Sequence, residues 1–113
     1  MKHNMKLKQN PFQAIANGTK TIEMRLYDEK RRLVHEGDEI EFLNETNGQT
    51  VITKVVKLHL FHSFDELYNN FDKVNLGYKK DEEAKPSDME KYYSQEDISK
   101  YGVVGIEISL INK

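Results

Sequence analysis

The spacing of hydrophobic residues along this chain changes every few positions, and each change marks an element. Met5 and Leu7 alternate with lysines, which predicts a short edge strand. Phe12 and Ile15 make the apolar stripe of a helix of about two turns. Asn10 is placed to cap it, Pro11 suits its first position, and Gly18 is placed to end it in a left-handed conformation. Over residues 21–27 the period drops to two. Ile22, Met24 and Leu26 share the core face of a strand, and Thr21, Glu23, Arg25 and Tyr27 share the other. A charged turn follows at 28–32, and Leu33 and Val34 are expected to be buried in the connection. Glu36-Gly37-Asp38 turns the chain into a strand in which Ile40 and Phe42 alternate with Glu39 and Glu41. Asn47-Gly48 then signals a hairpin, with a return strand over 51–60.

The second half starts with Ser63-Phe64-Asp65-Glu66, a capping box, ahead of Phe64, Leu67, Tyr68 and Phe71 at helical spacing. Residues 72–86 have no regular period, and a stretch of that length in a small domain points to a functional or mobile loop. Residues 87–93 read as a short helix carrying Met89, Tyr92 and Tyr93. Ser94 caps another, which Gly102 ends. The last strand covers 103–111, with Val104, Ile106, Ile108 and Leu110 facing in. Strands and short helices alternate without βαβ spacing. The expected fold class is therefore α+β: a small, mostly antiparallel sheet curled into a barrel with short helices beside it, in one domain over 1–113.

Composition narrows the function classes. The 113 residues include no cysteine, which excludes disulfide frameworks, thiolate zinc sites and cysteine nucleophiles. The first eight residues lack an apolar signal-peptide region, and no apolar run nears the roughly 18 residues of a membrane span. The expectation is a cytoplasmic protein with no membrane association. The net charge of −2 hides an asymmetry. Residues 1–32 hold eight basic and three acidic side chains, and the remaining 81 hold nine basic and sixteen acidic.

The densest chemistry lies in Gly18-Thr19-Lys20-Thr21-Ile22-Glu23-Met24-Arg25, which brings two cations and a carboxylate within six residues. Two readings stay open. Glu23 and Arg25 can form a weak ion pair on a solvated strand face. Alternatively, they line a pocket mouth in which Lys20 binds a phosphate or carbonyl, or acts as a base. Strict alternation puts Lys20 on the face of Ile22, so it joins Glu23 only if the strand starts after it or a bulge intervenes.

These residues resemble the ASCH family, the activating-signal-cointegrator homology domains of the PUA-like superfamily. The resemblance runs through Asn10-Pro11-Phe12, the Gly-x-Lys-Thr-x-Glu-x-Arg stretch at 18–25 and Leu26-Tyr27-Asp28-Glu29-Lys30-Arg31-Arg32. It continues with Gly37-Asp38-Glu39-Ile40-Glu41-Phe42 and Ser63-Phe64-Asp65-Glu66-Leu67, and closes with Tyr101-Gly102-Val103-Val104-Gly105-Ile106. It implies a small PUA-like β-barrel with a cleft beside the first helix, and RNA or a nucleotide-like or nucleoside-like ligand as partner. A looser resemblance to a bacterial branch implies hydrolysis of N(4)-acetylcytidine by a lysine, a threonine and a glutamate. The lysine matches Lys20, and Glu23 stands where that branch has threonine. The glutamate falls in the loop, at Glu82 or Glu83.

On this reading the catalytic candidates are Lys20, Glu23, Glu82 and Glu83. The ligand-binding candidates are Lys20, Glu23, Arg25 and Arg31, with Tyr78 and Tyr93 as rings on which a base could stack. His59 and His62 fall on opposite faces of a strand and His3 and His35 lack partners, so neither a metal nor another cofactor is expected. Three functions follow: an RNA-binding or modified-nucleoside-binding domain, an amidohydrolase for acylated nucleosides, or a regulatory module that binds protein through its acidic half.

Overall fold

A computed structural model describes residues 1–111 of the chain. The Asn47-Gly48 turn forms as the sequence predicts, with Gly48 at φ +78°, and it joins β3 (Glu39–Asn44) to β4 (Thr50–Phe61) in an antiparallel pair. The other strands are β1 (Lys2–Leu7), β2 (Ile22–Leu26) and β5 (Val103–Leu110), and the sheet order is β1-β3-β4-β5-β2. All pairings are antiparallel except β1 with β3. The helices are α1 (Gln9–Ala16), α2 (Phe64–Asn69) and α3 (Gln95–Tyr101), with 3₁₀ turns at Arg31–Leu33 and Pro86–Lys91. This is the expected α+β class: a mixed five-stranded sheet curled into a half-barrel with short helices against it.

The sheet is covered on both faces. On the concave side, Phe12 and Ile15 of α1 pack with Met5, Leu7, Ile40, Phe42, Val55, Val104, Ile106 and Ile108. On the other side, Ile22, Met24, Leu26 and Val103 pack against Phe64, Leu67, Leu76, Met89 and Ile98. β5 therefore reads as a nearly continuous apolar run, because it is buried on both faces along most of its length, as its neighbour β2 also is.

Three local expectations shift. The first helix starts earlier than Asn10: Lys8 is its N-cap, and its first backbone bond runs from Phe12 N–H to Lys8 O at 3.1 Å. Pro11 thus sits third in the helix, where its missing N–H still costs nothing, since the first-turn donors have no partner in the helix. Leu33 is 61% exposed while Val34 is buried, because a single 3₁₀ turn sends only one of two adjacent side chains inward. Residues 86–91 form a 3₁₀ turn in place of an α-helix.

The other caps form. Ser63 Oγ accepts from Glu66 N–H at 3.2 Å, and Glu66 Oε1 accepts from His62 N–H at 2.8 Å, one residue beyond the usual reach of a capping box. Ser94 Oγ accepts from Asp97 N–H at 3.1 Å. Gly102 ends α3 at φ +73°, and a Cβ there would stand 3.0 Å from the carbonyl oxygen of Phe61. Gly102→Ala should therefore lower the unfolding free energy by roughly 1–3 kcal/mol, the cost of forcing a side chain into strained backbone. Urea unfolding followed by circular dichroism checks this. An unchanged midpoint would show that the α3–β5 junction relaxes freely.

Candidate functional site: a buried carboxylate between two cations

The path from α1 into β2 sets the site. Gly18, at φ +88°, reverses the chain after α1, and Lys20 N–H donates back to Ala14 O at 3.0 Å. β2 begins only at Ile22. Lys20 therefore precedes the strand and escapes its alternation, which allows it to reach the face that carries Glu23. Glu23 lies opposite Ile106 of β5 and Arg25 opposite Val104, so this face of β2 joins the concave apolar side and not the solvent.

Lys20 is 6% exposed and Glu23 4%. Lys20 Nζ stands 3.3 Å from Glu23 Oε1 and donates to Leu76 O at 2.9 Å. Arg25 Nε donates to Glu23 Oε2 at 2.6 Å. Its Nη2 donates to Lys6 O at 3.1 Å, which carries a contact from β2 across to β1, the two edges of the sheet. Burial pushes the Glu23 carboxyl toward its neutral form, but Lys20 and Arg25 together outweigh that and hold its pKa below the ordinary 4.5. The weak, solvated ion pair is thus not what forms.

The loop over residues 70–85 covers the lysine. Asn75 O accepts from both Thr21 N–H and Ile22 N–H at 3.0 Å, docking the loop on the start of β2. Gly77, at φ +108°, lies directly on the lysine stem: a Cβ there would meet Lys20 Cδ at 3.0 Å. Tyr78 follows with its hydroxyl between Tyr68 Oη (2.7 Å) and Asp88 Oδ2 (2.8 Å). Burial and these two partners push its pKa well above the usual phenol range. Tyr93 is half-buried with its ring stacked near Phe64 at 6.0 Å. Of the adjacent tyrosines, Tyr92 is the exposed one at 54%.

Two concave surfaces adjoin the triad. A hollow of about 280 Å³ beside Lys20 is lined by Ile15, Thr21, Thr53, Ile108 and Leu110 among others. A groove of about 660 Å³ at the gap between β1 and β2 is lined by Lys6, Arg25, Lys30 and Arg31, with Glu41 on its β3 side. Of the residues picked out from sequence, Lys20, Glu23 and Arg25 come together, and Arg31 shares the groove with Arg25. The polar contacts of Glu82 and Glu83 stay within their own loop. Glu82 Oε1 accepts from Lys79 N–H at 2.7 Å, its backbone carbonyl accepts from Lys73 Nζ, and Glu83 pairs loosely with Lys85.

Sequence reasoning missed the Leu76 carbonyl as an acceptor for Lys20; the available signal was Gly77, a glycine next to it inside the aperiodic stretch. It also left His3 without a partner. In the structure His3 Nε2 meets Asp38 Oδ2 at 2.9 Å, and Asp38 also receives His35 N–H and the terminal amine. The bond from His3, then that from His35, holds Asp38 down at about 2. His59 pairs with Glu107 at 2.9 Å and sets its ring edge-on to Phe71. Among the described residues no group of three or more His, Asp or Glu side chains gathers as a metal site would require, and no helix is long and apolar enough to cross a membrane.

Comparison with known proteins adds a lineage. The family model for the ASCH domain matches residues 5–112. The crystal structure of hypothetical protein PH0355 superposes with a TM-score of 0.81 at 35% identity, covering 98% of this chain and all of that one. The solution NMR structure of protein PF0455 from Pyrococcus furiosus gives 0.78 at 30% identity, with both chains covered in full. Among curated proteins, nothing matches this chain.

The triad makes two predictions. Glu23→Gln leaves two cations buried without their anion and should cost about 3–5 kcal/mol. Because the folded pKa is depressed, that contribution is fully present above pH 4.5 and fades as pH falls toward the folded value. Urea unfolding of both proteins between pH 7 and pH 3 should therefore show the gap closing on the acid side, and a pH-independent gap would refute the assignment. Gly77→Ala should destabilise by roughly 1–3 kcal/mol and displace the lysine, seen as a shift of the Lys20 Nζ resonance; an unmoved resonance would show that the loop does not press on it.

Proposed function

This chain belongs to the ASCH domain family, and on that premise we propose that it binds RNA or a modified nucleoside at the cleft built on Lys20, Glu23 and Arg25. One observation carries the reading. A single buried carboxylate holds one cation at the rim of the 280 Å³ hollow and another at the rim of the 660 Å³ groove. Burying three charges is an inefficient way to stabilise a fold, since apolar residues of similar volume commonly do as well or better. Such an arrangement suits a site that must present fixed donors.

The hollow supplies the rest. Apolar walls from Ile15, Ile108 and Leu110 accompany the hydroxyl residues Thr21, Thr53 and Ser109. That mixture fits a flat ring with polar edges, such as a nucleobase. The basic groove beyond Arg25 fits the polyanionic backbone of a longer ligand. Hydrolysis of an acylated nucleoside is the chemical alternative, and the Lys20 ammonium beside a carboxylate is the feature that favours it.

Titration of the ¹⁵N-labelled protein with cytidine, N(4)-acetylcytidine and a single-stranded oligonucleotide tests the reading. The expected result is saturable shifts at Thr21 and at Ile108, Ser109 and Leu110, with Lys20→Gln weakening binding at least tenfold. Oligonucleotide affinity should fall steeply with added salt. No shifts at millimolar nucleoside, with no oligonucleotide binding at low salt, would overturn it. Release of cytidine from the acetylated nucleoside would replace binding by hydrolysis.

A further inference from the structure

Arg31 is a cation with its donors unspent. Its side chain is only 16% exposed, yet its Nε is buried without a hydrogen-bond partner. The closest carboxylate oxygen, Asp28 Oδ2, is 3.7 Å from Nη1, beyond hydrogen-bonding distance. The short contact with Asp28 is made by the Arg31 backbone N–H, at 3.1 Å. Arg25, which lines the same groove, is the opposite case, with Nε committed to Glu23 and Nη2 to Lys6 O. A buried guanidinium N–H without an acceptor is destabilising, so its retention calls for a purpose.

The surroundings supply one. Lys6 and Lys30, both exposed, line the groove with Arg31 and Arg25. Its one carboxylate, Glu41, is already held by Lys2 Nζ at 2.8 Å. Asn4 and Thr50 add neutral polar groups. Among the lining residues an incoming anion meets four cations, with the Asp28 carboxylate behind Arg31 as the nearest competing anion, and the planar guanidinium offers paired N–H donors that match two oxygens of a phosphoryl group.

We infer that the groove between β1 and β2 is a phosphate subsite with Arg31 as its principal donor, taking the phosphate of the nucleotide or RNA strand whose base occupies the neighbouring hollow. The inference rests on the reading under Proposed function, which names the ligand. The guanidinium turns on its flexible stem so that its unpaired N–H faces the arriving oxygen, with Lys30 and Lys6 on either side.

The test uses the full chain and the Nε–Hε resonance of Arg31. Inorganic phosphate should shift that resonance saturably, and acetate at equal ionic strength should not. Cytidine 5′-monophosphate should bind about tenfold more tightly than cytidine, and the dinucleotide cytidylyl-cytidine should separate a diester from a terminal monoester. In Arg31→Gln the advantage of the monophosphate over cytidine should collapse to within twofold. Lys30→Gln, at an exposed position, should reduce it about threefold whether or not the arginine variant folds. Cytidine binding with no gain from its phosphate would overturn this inference and leave the base site standing. A phosphate shift at Arg31 without cytidine binding would do the reverse. An equal response to acetate, or none to any phosphate, would overturn the phosphate assignment.

Discussion

The Glu23 carboxylate is the point on which several separate parts of this fold depend. Moving a carboxylate out of water is costly, and it stays ionised here only because cations lie against both of its oxygens. Each cation is in turn tied elsewhere. Lys20 holds the loop through Leu76 O, and Arg25 holds the far edge of the sheet through Lys6 O. One anion thus links the helix-to-strand joint, the covering loop and the gap between the edge strands. Losing it would strand two buried charges and unfasten both contacts.

The same arrangement explains why the two concave surfaces differ. At the lysine end, the loop and α1 hem in the ammonium and the lining is mostly apolar and hydroxylic. At the arginine end, the sheet edges stay unpaired and basic side chains fill the rim. The covalent order of the motif, with Lys20 before the strand and Arg25 within it, sorts one cation to each side.

Periodicity together with turn and cap residues made most of the fold legible. The hairpin at Asn47-Gly48, the caps at Ser63 and Ser94, the stop at Gly102 and the partition of β2 into two faces all form. Alternation reveals which residues share a face, but it does not say whether that face meets water. With both sides of the sheet covered, Glu23 is as buried as Met24. The stretch at 72–86 had no readable period because several of its polar groups bond to other elements: Asn75 to β2, Leu76 to Lys20, Tyr78 to Tyr68 and Asp88. The parallel pairing of β1 with β3 and the meeting of His3 with Asp38 rest on contacts 35 or more residues apart, which no local pattern encodes.

The strand order has a consequence in time. β2 has one strand neighbour, β5, although some eighty residues separate them in the chain. During synthesis, the hairpin of β3 and β4 can pair while the rest is still being made, but residues 22–26 have no ladder to join until residues 103–110 have left the ribosome. Until then Glu23, Lys20 and Arg25 remain hydrated, and the apolar side of β2 lacks its partner strand. Closure over so long a loop is slow compared with hairpin formation. The charged knot that gives the folded domain its site thus has to wait for β5, long after the β3–β4 hairpin can form.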